Sequence, residues 1–356
     1  MWSKGGLTLA ISALSLAACA QTGASPSIAP PSAQYVPSAP VRLTELPGWD
    51  QEDYAGALRA VRAACGVTRD PAMGHVCAAL PQRPTEKSAR GFLEASFWAA
   101  PVGAAGRLTG YFMPVYQARL TRCGEFTAPV RPRPADLPTG DLSAAGRSPY
   151  AARATIETRP APDALAWMRP EDLFFMQIQG AGVLVLPDGE RARAVFAGSN
   201  GAPFMGVAAA MRAQGLLADQ ETSAEAIHTW LGAHRGAAAE AIMSLDPRYV
   251  FYSLADDDGL DPSGSAGARL PAGRAIAVDP AFHAMGELLW LDASAPGLAG
   301  AFPTYRRLTV ALDTGGAIKG AARADLYLGR GPAAGAEAGR VRHALFLYRL
   351  IPRPVW

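Results

Sequence analysis

The chain is poor in the residues that most often build reactive centres, with five histidines and four cysteines among 356 residues. The histidines are scattered and none falls in a His-Glu-x-x-His pattern, which removes the common zinc-hydrolase arrangement. No Gly-x-Ser-x-Gly elbow occurs, so a serine hydrolase would have no exposed nucleophile. An excess of one charge is also missing: 33 Lys and Arg stand against 31 Asp and Glu, a formal +2. With no basic run interleaved with aromatics, the chain has no footprint for nucleic acid. No apolar stretch is long enough to span a bilayer as a mature helix.

What is present is a globular composition, 49% hydrophobic and 18% charged, enough for one large core or two modest ones. Thirty-seven glycines and thirty prolines spread along the length imply many turns and short strands, a mainly β chain with few short helices. The start reads as an address. Met1 to Lys4 is basic, Leu7 to Leu16 is apolar, and Leu16-Ala17-Ala18-Cys19 completes a lipobox. Residues 1–18 are then a signal peptide; plain cleavage after Ala20 is the alternative. Similarity to bacterial lipoproteins implies a diacylated Cys19, and Ala20 beside it implies an outer-membrane destination facing the periplasm. Residues 19–45 are rich in Pro, Ser and Ala, cannot bury a core, and read as a tether.

Order is expected from Trp49, with Asp50 as N-cap, Asp53 at N3 and Trp49 stapled on Tyr54. Tyr54, Leu58, Val61 and Cys65 then share a helix face. In an exported protein the near pair Cys65 and Cys77 is the expected disulfide, leaving Cys123 over. A metal site at Cys65, His75 and Cys77 matches no common spacing, so no metal is expected. Strands are expected at Gly106–Tyr116, Phe174–Leu186 and Arg193–Ala197, the last two joined by a Pro187-Asp188-Gly189 turn. Helices follow from Ser223, which caps a face of Ile227, Trp230 and Leu231, and at 238–245. The acidic loop 256–267 lacks the ligand spacing of an EF-hand and reads as solvated surface. Further strands are expected at 274–279, 288–291, 308–312 and 343–350.

Five blocks carry the chemistry. They are Thr109-Gly110-Tyr111-Phe112-Met113-Pro114, the run Phe174 to Gly182 (FFMQIQGAG), Asn200-Gly201-Ala202-Pro203-Phe204, Ala277-Val278-Asp279, and Asp313 through Gly331. Asp313-Thr314-Gly315 by itself resembles the loop of aspartic proteases, but a second copy is lacking, so that reading would need a symmetric dimer. Taken in order, the five blocks resemble the membrane-bound lytic murein transglycosylase A family, from about Trp49 to the end.

That resemblance implies a double-psi β-barrel from 46–112 and 257–356, with a second β-barrel-like domain, 113–256, inserted between and forming the other wall of a glycan groove. It implies a peptidoglycan lytic transglycosylase without cofactors, whose partners are glycan strands and the membrane holding the lipid. Asp325 would be its acid and base, Asp313 the supporting carboxylate, and Thr109, Tyr111, Gln177, Gln179, Gly180, Asn200 and Lys319 the substrate contacts. On a strand, Gln177 and Gln179 would share a face. Ala181, Met113 and Phe204 depart from the family pattern, each removing a polar group from the groove, which admits a non-catalytic glycan-binding relative as the alternative.

Overall fold

The computed structural model describes residues 39–138, 150–217, 223–295 and 302–354. Cys19 and most of the expected tether lie outside the described residues. In chain order the strands are β1 (Val41–Arg42), β2 (Phe97–Pro101), β3 (Gly106–Met113), β4 (Val115–Gln117), β5 (Ala128–Val130), β6 (Ala166–Met168) and β7 (Gly182–Val185). They continue as β8 (Arg191–Ser199), β9 (Val250–Asp256), β10 (Ala275–Val278), β11 (Leu288–Ser294), β12 (Thr304–Thr314), β13 (Arg323–Arg330) and β14 (Arg342–Pro352). Among the described residues the longest helix has twelve residues, Tyr54–Cys65, and no helix is long and apolar enough to cross a membrane.

Six strands close a barrel in the order β14–β11–β12–β10–β13–β3 and back to β14. Two of its pairings, β10–β12 and β13–β3, are parallel. Alternation along each strand sends Leu108, Ile276, Leu289, Leu326 and Leu345 into one buried cluster. The opposite set, including Leu308, Val310 and Trp290, packs with Leu58 and Val61 of the helix Tyr54–Cys65. Each such side chain contributes roughly 1.5–3 kcal/mol on burial. The strands between, β4–β7–β8–β9 and β5–β6, form two sheets. Single-residue bridges, Arg119 to Trp167 and Pro132 to Tyr252, connect these sheets into a second barrel-like ring.

The first helix is capped differently from expectation. Trp49–Gln51 forms its own 3-10 turn, and Asp53 rather than Asp50 is the N-cap, its carboxylate accepting from Gly56 N at 2.7 Å. Glu86 takes the next two free donors, Tyr54 N and Ala55 N. The Trp49–Tyr54 contact forms, with ring centroids 5.3 Å apart. Cys65 and Cys77 are disulfide-bonded and Cys123 is free and exposed.

The largest correction concerns Phe174–Leu186. Pro170–Gln179 is a helix, with Pro170 in its first turn, Glu171 and Asp172 at its positive end, and Gly180 ending it at φ +85°. Leu173 through Gln177 are all buried, so the segment has no polar stripe to reveal a helical period. Only Gly182–Val185 is strand. The acidic loop is solvated at Asp256 and Asp258 as expected, but Asp257 is not, its side chain being 1% exposed between Arg191 and Arg330.

Candidate active site

Four residues from four strands stand in one cross-strand row. Asp325 on β13 lies opposite Ala277 of β10 on one side and Thr109 of β3 on the other, and Asp313 on β12 lies opposite Ala277 from beyond. Their neighbours Ala324, Leu326, Ile276 and Val278 fill the barrel interior, so this row points outward. A register shift between Ile276 and Ala277 brings Asp313, rather than Leu312, opposite Ala277. Such a bulge re-aims a side chain. The loop before β10 closes over it: Ala266 N donates to Leu312 O and Ser265 N to Asp313 Oδ1. Gly264 permits that approach, since a Cβ there would stand 2.4 Å from Leu312 O.

The two carboxyls differ in their donors. Asp313 accepts from Ser265 N and Thr314 N, each at 2.9 Å, and from the Tyr111 hydroxyl at 2.9 Å. Asp325 accepts from the Thr109 hydroxyl, which in turn accepts from Arg323 Nη2 at 2.8 Å. Burial pushes both above the ordinary aspartate value. Three donors pull Asp313 back toward ionisation, whereas Asp325 has one hydroxyl and the Arg323 charge against burial and the charge of Asp313. Asp325 therefore has fewer neighbours that favour its ionised form than Asp313 has. Burial, then the Asp313 charge, holds the Tyr111 phenol well above its usual value, so it remains a donor.

Thr109, Tyr111, Asp313 and Asp325 are thus brought together. Gln179 borders them, its Oε1 accepting from Phe112 N at 3.2 Å. Gln177 does not share its face, because two steps along a helix turn about 200°. It is buried, accepting from Arg153 and donating to Val250 O. Asn200 is fully buried and saturated: its amide donates to Ala151 O and Pro247 O and accepts from Tyr249 N and Ala202 N. Gly180 is the helix terminus described above. Lys319 is exposed. Against desolvation, the N–H groups of Gly320 and Ala281 hold Asp279 low, and the Lys319 charge adds to them. Met113 is a core residue at 1% exposure, so its departure from the family pattern leaves the groove untouched. Sequence reasoning missed Arg323; its place two residues before Asp325 on a strand was the available signal. An open cavity of about 850 Å³ borders this site at Ser265 and Ala266 and lies toward Thr68, Gly286 and Arg349.

The model of the MltA specific insert domain matches residues 107–253, and that of the 3D domain matches residues 274–351. Together they cover more than half of the chain. The chain belongs to the membrane-bound lytic murein transglycosylase A family. It is 33% identical over 244 residues to the membrane-bound lytic murein transglycosylase A of Escherichia coli (strain K12), an alignment covering 67% of this chain and 63% of that protein. Among solved structures it is similar to a membrane-bound lytic murein transglycosylase from Agrobacterium tumefaciens, with TM-score 0.76 and 28% identity over 88% of this chain and 97% of that one. MltA from Neisseria gonorrhoeae superposes with TM-score 0.74 and 26% identity, over 89% and 93% of the two chains.

Proposed function

We propose that this protein is a peptidoglycan lytic transglycosylase that cleaves the β-1,4 bond between N-acetylmuramic acid and N-acetylglucosamine. The observation that carries the reading is the placement in one row of two buried carboxyls, Asp325, whose proton affinity burial raises and which has one hydroxyl donor, and Asp313, which has three donors. The names of the relatives give the substrate class. Asp325 donates its proton to the leaving O4 as positive charge grows on C1. The C1–O4 bond breaks and the muramoyl O6 closes on C1. Its proton passes to the Asp325 carboxylate, which ends the cycle protonated, with a 1,6-anhydro ring as product and no water consumed. The nucleophile is tethered within the sugar, so proximity replaces a second reacting carboxylate. Asp313 keeps a negative charge beside the oxocarbenium-like centre and raises the affinity of Asp325 for its proton.

In this reading 46–112 with 257–356 is the catalytic unit, 113–256 forms the facing wall of the groove, and Thr109, Tyr111 and Gln179 lie at its floor. The chain is held at the outer membrane by lipid on Cys19, facing the periplasm. Replacing Cys19 by Ser should move it from the membrane to the soluble fraction.

Digestion of purified sacculi by the detergent-solubilised protein, beside Asp325→Asn, tests the activity. Muropeptides ending in 1,6-anhydromuramic acid, absent with the variant, are expected. Reducing muramic acid would mean hydrolysis. Binding to sacculi without release would leave a non-catalytic relative.

A further inference from the structure

Thr109 Oγ1 has two polar neighbours among the described residues. Arg323 Nη2 donates to it at 2.8 Å, and it donates to Asp325 Oδ1. A guanidinium carries donors only and a hydroxyl carries one proton. With Arg323 occupying a lone pair of Thr109, the threonine proton has Asp325 Oδ1 as its acceptor. Oδ1 is then an acceptor whether Asp325 is charged or neutral, and the carboxyl proton falls to Oδ2. No described donor engages Oδ2. Arg323 is itself held, because strand alternation sets it on the face of Asp325 and its Nη1 donates to Ala324 O.

We propose that Arg323 is a positioning residue which, through the Thr109 hydroxyl, assigns the acid proton of Asp325 to Oδ2. This rests on Asp325 being the acid and base of the reaction proposed above. One oxygen then does both proton transfers, giving its proton to O4 and receiving that of O6. The other oxygen stays bound to Thr109, so the carboxyl does not have to rotate between the two halves of the reaction. The arrangement has a cost: the Arg323 charge favours the ionised form. The charged or titratable groups nearest Asp325 in register are Arg107 and Tyr111 of β3, Tyr327 of β13, which packs on Tyr111, Asp313 of β12, Asp279 beyond β10 and Arg342 opposite Thr109 on β14.

A double-mutant cycle on the full chain in detergent, reading initial rates of anhydromuropeptide release, decides the matter. Thr109→Val should lower kcat about thirtyfold and Arg323→Met about tenfold, with KM within about twofold. The double variant should be no slower than Thr109→Val, since Arg323 acts through that hydroxyl. Thr109→Ser, which keeps the hydroxyl, and Arg323→Lys, which keeps a donor, should each stay within about threefold of the parent. The basic limb of kcat against pH should move upward in Arg323→Met, which a purely structural role would not produce. Each variant must show the parent's melting transition and sacculus binding; if Arg323→Met does not fold, Arg323→Lys and Thr109→Ser carry the comparison. Multiplicative losses in the double variant, a parental rate in Arg323→Met, or an impaired Thr109→Ser would overturn the proposal alone. Undiminished release by Asp325→Asn would instead remove the acid itself, and the proposal with it.

Discussion

Asp313 and Asp325 stand in one row across the barrel, separated only by Ala277, whose position both of them oppose from neighbouring strands. At about 4.8 Å per strand the two α-carbons are roughly 10 Å apart. A methyl group is the largest side chain that leaves the space between them open.

Filling that space should separate chemistry from folding. Ala277→Val adds two methyl groups at a position 3% exposed, costing about 1–3 kcal/mol by overpacking. Anhydromuropeptide release should fall at least about tenfold, with sacculus binding retained in a pelleting assay.

The raised Asp325 pKa makes a stability prediction with a definite sign. Its folded value lies above the unfolded reference of 3.8, so below that reference both states hold the proton and nothing is lost. As pH rises through the interval between the two values, the folded state bears the cost of a buried charge. Asp325→Asn should therefore melt higher than the parent near neutral pH, and the gain should vanish toward pH 3. A constant difference across that range, measured by calorimetry, would contradict it.

Asp257 clamps the end of β13 to β8, receiving Arg330 Nη2 at 2.6 Å and Arg191 Nε at 3.0 Å. Its carboxyl is held below the ordinary value because the hydrogen bonds of Arg330 and Arg191 override desolvation. Stability from this clamp is present above the unfolded pKa and lost as pH falls through the folded one. Asp257→Asn should cost about 3 kcal/mol at pH 7, since it leaves two guanidinium groups facing a neutral amide. Denaturant titration at pH 7 and pH 3 measures both the loss and its disappearance.

Asn200 should matter to folding and not to the reaction. Its four internal hydrogen bonds at zero exposure predict that Asn200→Ala loses about 2–4 kcal/mol. The rate per folded molecule should be unchanged. A selective loss of rate, at parental stability, would return Asn200 to the groove.

The disulfide closes twelve residues and should contribute about 3 kcal/mol by constraining the unfolded chain. Cys65→Ala with Cys77→Ala, or reduction of the parent, should lower the melting temperature by similar amounts.

The sequence alone determined whatever depends on neighbours along the chain. Alternation marked the barrel strands, a hydroxyl at Ser223 marked a helix start, and two cysteines close in the chain marked their own bond. The proposed roles of the two carboxylates rest on an ordered set of motifs. Local signals failed where two patterns competed: FFMQIQ alternates like a strand, yet Pro170 and Gly180 bound it as a helix buried from Glu171 through Gln177. Gln177 and Asn200 carried no mark of burial, because an amide looks the same in sequence whether it meets a sugar or a carbonyl. Tertiary structure decided the rest. A bulge between β10 and β12 sets which residue of β12 faces Asp325, and a parallel pairing brings Thr109 against it across 216 residues. Alternation tells which face a side chain takes, but register between distant strands is set by the closure of the barrel and the packing of its core, and no local window contains either.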